Sequence, residues 1–207
     1  MSAKIKSPER LVFFSDAVVA IALTLLILPL TDLVRDPRGL GSLELIKTNQ
    51  ALIWSFLLSF VVIARYWLNH HRLYEQVKAY NTPLMLVNMF WLLTIAILPF
   101  PTEMVAKYPS HDRFTLVLYV GTLFVSGLAQ SSMLLIIRND ADVLREPGAI
   151  SDRRQFDSLS TTAVMGIALL AVAIFPALSY YPLLLNVLQP WVVRLRFRKR
   201  SATQVDG

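Results

Sequence analysis

The chain has 207 residues, of which 55% are hydrophobic and only 16% charged, whereas a soluble domain carries about a quarter charged residues. With a mean hydropathy of +0.53, this composition excludes an ordinary soluble domain and implies an integral membrane protein. The absence of cysteine excludes disulfides, thiolate metal sites and cysteine nucleophiles, and the net charge of +6 sits in loops and the C-terminal tail, so no nucleic-acid partner is expected.

Backbone polar groups must be satisfied internally in lipid, so spans of this kind are helical. A spanning helix takes about 20 mostly apolar residues. Six stretches reach or approach that length: residues 11–30, 51–69, 84–104, 114–137, 160–177 and 180–197. They predict an all-α membrane protein with six transmembrane helices. Residues 1–200 form a single six-helix domain, and 201–207 a short C-terminal tail.

The first stretch contains FFSDAVVAIALTLLILPL, from Phe13 to Leu30. It is too long for a signal-peptide core, and no small-residue cleavage site follows it. Ser15 and Asp16 lie about two turns inside a helix that begins near Arg10. A charge at mid-bilayer depth costs about 2.5–3.5 kcal/mol, and less near the interface, so Asp16 is expected to face protein or water.

At about 100° per residue, Ile21, Leu25 and Leu28 fall in one narrow stripe flanked by Thr24. Ser15 and Asp16 fall on the opposite side. By angle alone the stripe reads as ordinary packing against lipid or other helices. Asp16 reads as a buried hydrogen-bond acceptor, with an ion ligand or proton-relay acid as the alternative. The helix is expected to run without a break as far as Pro29.

The second stretch contains WLNHH, which puts Trp67, His70 and His71 on one helical face. Arg65 sits deeper, where it is expected to pair with a carboxylate or line water. The third stretch supplies Asn88 and is expected to end in LPFPTE. An indole N–H, an imidazole and an amide are the donors that a buried carboxylate needs. Arg10, Ser15, Asp16, Trp67, His70 or His71, and Asn88 are therefore expected to close a polar network, with one of the two histidines coupled to Asp16. A Ser-His-Asp hydrolase is not indicated, because no oxyanion-hole glycine motif accompanies these residues. No enzyme or metal site is expected.

The fifth and sixth stretches are joined by SYYPLLL and must form a hairpin; Pro190 interrupts the sixth. With six spans, the N-terminus, the 70–82 and 138–157 loops and the C-terminus share one side. That side holds 14 of the 20 basic residues and the other side five, Arg65 lying within a span. The positive-inside rule then places both termini in the cytoplasm. Arg194, Arg196, Arg198, Lys199 and Arg200 form a basic cluster at the membrane edge, expected to bind anionic lipid head groups.

RLVFFSDAVVAIALTLLIL resembles the first helix of the transmembrane protein 175 family, the lysosomal and prokaryotic potassium channels. The signature is an arginine, three residues, then Phe-Ser-Asp, here Arg10, Phe14, Ser15 and Asp16. WLNHHRLY and NMFWLLTIAILPFPTE are similar to the family's second and third helices. The resemblance covers the first 105 residues well.

It implies a homotetramer around a central pore lined by the first helices. The constriction is then formed by rings of Ile21, Leu25 and Leu28 with Thr24 beside them, while Phe14, Ser15 and Asp16 pack on the second and third helices. Potassium is the implied permeant ion, crossing transiently and without a cofactor. An apolar ring favours the ion that dehydrates more easily, which implies a modestly selective potassium channel in a prokaryotic inner or plasma membrane. The alternatives are a proton-coupled secondary transporter using Asp16 and the inner histidines, and a non-conducting scaffold. A transporter should carry its acid at a broken helix near the midplane.

Overall fold

The computed structural model describes residues 7–35, 39–109, 111–148 and 150–175. The predicted sixth span, the end of the fifth and the basic tail at Arg194–Arg200 lie outside the described residues.

The described chain is helical: α1 Glu9–Leu25, α2 Leu28–Arg35, α3 Ser42–Thr48, α4 Gln50–Tyr74, α5 Thr82–Ile97, α6 Pro99–Lys107, α7 Arg113–Asn139 and α8 Asp152–Ile174. Five segments are long and apolar enough to cross a membrane: Glu9–Arg35, Gln50–Tyr74, Thr82–Lys107, Arg113–Asn139 and Arg154–Ile174. Each overlaps one of the first five predicted spans. The short α3 was not anticipated.

Two prolines explain why two of these spans consist of two helices each. Pro29 has no N–H, and its ring crowds the carbonyl four residues earlier, that of Leu25. The backbone passes this point through shorter-range bonds, Ile27 N to Thr24 O at 3.4 Å and Leu30 N to Ile27 O at 3.0 Å. The predicted unbroken run to Pro29 is therefore corrected: α1 stops at Leu25, and Leu28 belongs to α2. Pro99 does the same at Leu98, where the Leu98 N–H reaches Ile95 O at 3.2 Å. There the helix does not end at LPFPTE as expected; it resumes as α6, which packs on α4.

Caps set the other boundaries. Asn81 accepts from Leu84 N at 2.9 Å ahead of α5, and Asp112 accepts from Thr115 N at 2.9 Å ahead of α7. Each satisfies one of the amide groups that a helix start leaves without an intrahelical partner.

At the end of the bundle that carries the start of α1, the α4–α5 and α7–α8 connections clasp each other. Val77 and Leu144 form an antiparallel bridge. Lys78 N donates to Val143 O at 3.0 Å and Arg145 N to Gln76 O at 2.8 Å, and the Asn81 amide donates to Asp140 Oδ2 at 2.9 Å. Val77 and Val143 are buried beneath this clasp.

The core runs between α1, α4, α5 and α7, with Ile63, Leu84, Trp91, Ile95, Leu116 and Met133 buried in it. α8 lies along α7. Close approach there depends on Gly166: a Cβ at that position would come within 3.0 Å of Phe124 Cε2.

Candidate functional site

α1 buries one face in the bundle. Leu11, Ser15, Val19, Ala22 and Leu26 are buried at helical spacing. Ser15, the polar member of this set, is fully buried, so its hydroxyl must be satisfied. It donates to Leu11 O at 2.8 Å and accepts from Asn88 Nδ2 at 2.9 Å. The Asn88 carbonyl oxygen in turn accepts from His70 Nε2 at 2.7 Å.

The three residues come from α1, α5 and α4, and all are fully buried. The donor direction is the same along the chain, His70 to Asn88 to Ser15 to the Leu11 carbonyl. The His70 ring is stacked between Trp91, at 4.4 Å and 7°, and Tyr74, at 4.4 Å and 27°. Two aromatic faces and one hydrogen bond fix its orientation. Among the described residues, His70 Nδ1 makes no hydrogen bond.

Asp16 makes a separate link. The Trp67 indole N–H donates to Asp16 Oδ1 at 2.8 Å, tying α4 to α1 one residue along from the Ser15 contact. Trp67 also packs on His71, whose Nε2 lies 3.9 Å from Glu75 Oε1 at an exposed position.

The structure thus brings Ser15, Asp16, Trp67, His70 and Asn88 to one level of the bundle, as two adjoining links. Neither histidine hydrogen-bonds Asp16 among the described residues: Asp16 takes Trp67, and His70 takes Asn88. Arg10 is exposed, away from both links. Phe14 does not pack inside the bundle as the resemblance implied. It is 52% exposed and lies on the outward side of α1 with Ile21, about two turns away.

The four residues of the predicted stripe all face outward. Ile21 is 58% exposed, Leu25 41% and Leu28 50%. Thr24 is exposed and returns its hydroxyl to Ile21 O at 2.8 Å. Ile21, Thr24 and Leu25 share α1, whereas Leu28 lies past the Pro29 break.

Arg65 is not part of the Asp16 group. It lies about 200° around α4 from Trp67 and lines a cavity of about 270 Å³ between α4, α7 and α8.

Sequence reasoning missed a series of buried polar links in the rest of the bundle. Thr102 donates to Ser59 at 2.8 Å, and Ser59 and Tyr119 share a 2.9 Å bond. Ser126 donates to Thr94 at 2.7 Å, and Gln130 donates to Tyr66 O at 2.6 Å. Ser131 bonds both Ser158 and Thr162 across α7 and α8. Their signal was the hydroxyl and amide residues within apolar spans. In lipid such groups turn toward neighbouring helices, because hydrocarbon offers no partner.

A bundle of long apolar helices, pinned by buried polar links on one side of its first helix and leaving that helix's apolar face outward, is a multi-pass α-helical membrane protein. The sequence profile of the family described as "Endosomal/lysosomal potassium channel TMEM175" matches residues 10–99. A potassium channel of Streptomyces collinus is 36% identical over 104 residues, half of this chain and half of that one. A potassium channel of Chamaesiphon minutus is 28% identical over 208 residues, covering 95% of this chain and 98% of the relative. The endosomal/lysosomal proton channel TMEM175 of Danio rerio is 24% identical over 90% of this chain and 37% of its own. The chain therefore spans half of the Streptomyces relative and about a third of the Danio rerio one.

The crystal structure of a lysosomal potassium-selective channel TMEM175 homolog from Chamaesiphon minutus superposes with a TM-score of 0.59. It has 26% identity and covers 86% of this chain and 97% of that chain. The chain is thus similar to the TMEM175 family model over residues 10–99, and its fold is similar to that of a solved TMEM175 homolog.

Proposed function

We propose that this chain assembles as a homotetramer and conducts potassium through a central pore lined by α1. The observation that carries this reading is the division of α1 into two faces. Asp16 and Ser15 bind it to α4 and α5, while Ile21, Thr24 and Leu25 point out of the protomer, as does Leu28 at the start of α2. The Streptomyces and Chamaesiphon relatives carry the name of potassium channels.

In a tetramer, the outward stripe supplies successive apolar rings, those of Ile21 and Leu25 about 6 Å apart along the axis. Such rings narrow and dewet a pore, so the ion that sheds water more easily crosses at lower cost. Potassium preference then needs no ligand and is modest. The Ser15–Asn88–His70 and Asp16–Trp67 links hold α1 at a defined rotation, so that the apolar face meets the axis. Six spans with both termini in the cytoplasm complete the reading, with the tail from Arg194 to Arg200 against anionic head groups of a prokaryotic plasma membrane.

A proton-coupled transporter is less favoured. Asp16 binds an indole, not a histidine, and the helix is regular through Asp16, with its break about ten residues beyond. Because animal relatives carry the name of proton channels, the test includes protons. The protein is purified, its mass in detergent measured, and single-channel currents recorded from bilayers under potassium, sodium and pH gradients. The expected result is a tetramer with unitary currents reversing near the potassium potential. Electroneutral flux without unitary currents would favour the transporter.

A further inference from the structure

The outward side of the chain does not stop at Leu28. Along α2, Pro29, Leu30 and Leu33 are half-buried toward the bundle, whereas Leu28, Thr31, Asp32 and Arg35 are exposed. Leu28, Asp32 and Arg35 recur at i, i+4 and i+7, which is one helical face. From Ala17 to Thr31 the sequence holds no charged side chain. Asp32 is therefore the first charge beyond the apolar stripe, about 6 Å past Leu28.

Other charges stand near it. Arg35 Nη1 lies 3.3 Å from Asp32 Oδ1, nearly one turn farther from the stripe. Lys107, at the end of α6, interacts electrostatically with Asp32 and is itself paired with Glu103 at 2.5 Å. The Asp32 and Arg35 side chains remain 66% and 80% exposed, and an ion pair this exposed is weak, so the carboxylate still acts on passing ions. The Thr31 hydroxyl is turned back onto Leu28 O at 2.7 Å, which leaves the carboxylate as the strongest acceptor beside Leu28.

We propose that Asp32 sets the rate at which cations enter the pore from the mouth opposite the start of α1. The inference rests on the pore reading given above, in which Leu28 faces the axis. Each protomer then places one carboxylate just outside the apolar rings. Fixed charge at a mouth raises the local concentration and on-rate of the opposite ion, and acidic side chains ringed around a cation pore act in this way. The ions stay hydrated and mobile at this level, and none is held. Arg35 carries the opposite charge and acts in the opposite direction. Because the effect is one of long-range charge, salt screens it. It acts on ions that enter from this mouth more than on ions that leave through it.

The test records single-channel currents of the full chain in excised patches, where every copy has the same orientation. Potassium is set at about 0.01 M, where the Debye length is about 30 Å, and at about 1 M, where it is about 3 Å. Asp32→Asn is expected to lower the low-salt current carried by entry from the Asp32 mouth, which is inward with the termini in the cytoplasm, by about twofold or more. The outward current should change less, and neither should change at high salt. Asp32→Glu should keep the parent's currents. Arg35→Gln should raise the current that Asp32→Asn lowers, and it decides the matter if Asp32→Asn forms no channels. Ile21→Asn is the control for the pore itself. If Ile21→Asn alters conductance while the Asp32 and Arg35 variants change nothing at low salt, change both directions equally, change only the outward current, or change it as much at high salt, this inference fails alone. If Ile21→Asn also leaves conductance unchanged, the pore reading fails and the inference falls with it.

Discussion

The Asn88 side-chain amide lies 2.9 Å from the Ser15 hydroxyl, joining α5 to α1 where both residues are fully buried. The same amide accepts from His70 on its other side, so its orientation is not free. Replacing Asn88 with leucine leaves the Ser15 acceptor and the His70 donor unpaired, at a cost of about 1–3 kcal/mol. Asn88→Leu should therefore lower the thermal midpoint of the assembled protein. An unchanged midpoint would show that the link contributes nothing to stability.

Asp16 and Trp67 should behave as one pair, and His70 and Asn88 as another. Double-mutant cycles within each pair should give coupling of about 0.5–3 kcal/mol. The crossed cycle of Asp16 with His70 should give less, because neither side chain hydrogen-bonds the other. Asp16→Ala should impair assembly more than ion preference, since Asp16 faces α4. Normal assembly with altered selectivity would contradict this.

Ile21→Asn should wet the constriction, raise conductance and admit more sodium, because an amide replaces part of a lost hydration shell. Val18→Asn should do less, since Val18 lies about 60° around the helix and is more buried than Ile21. Current and reversal potential in mixed potassium and sodium separate the two. A shift for Val18→Asn with none for Ile21→Asn would mean that another face of α1 meets the axis.

Pro29→Ala should restore the missing backbone bond and let α1 run into α2. The change rotates Leu28 relative to Leu25, so it should alter conductance more than stability. Equal conductance in the two proteins would exclude Leu28 from the constriction.

Gly166→Leu should force Phe124 aside and loosen α8 from α7, because even a Cβ meets the ring at 3.0 Å. Overpacking of this kind costs about 1–3 kcal/mol. Phe124→Ala in the same chain should recover much of the loss. If Gly166→Leu unfolds at the same temperature as the parent, the two helices are not held at this contact.

The sequence by itself determined the class of the protein, the positions of five spans, and the residue types that meet at the Ser15–Asp16 level. Apolar length and helical angle are properties of the local chain, so they survive without knowledge of neighbours. The separation of Ile21, Thr24 and Leu25 from Ser15 and Asp16 onto different sides of one helix was legible for that reason, whereas which side faces outward was not. Only the tertiary structure decided which donor meets which acceptor. Trp67, His70 and Asn88 all offered groups to Asp16, and the choice depended on how far α4 and α5 slide and rotate against α1. That placement gave Trp67 to Asp16, and set His70 between two aromatic rings with its Nε2 on Asn88. It also turned Phe14 outward with Ile21. The hydroxyl links of Ser59, Thr102, Ser126 and Thr162 could not be paired from sequence, because their partners lie 31 to 60 residues away. Side-chain periodicity tells which way such a residue points along its own helix, and only helix packing tells what stands there.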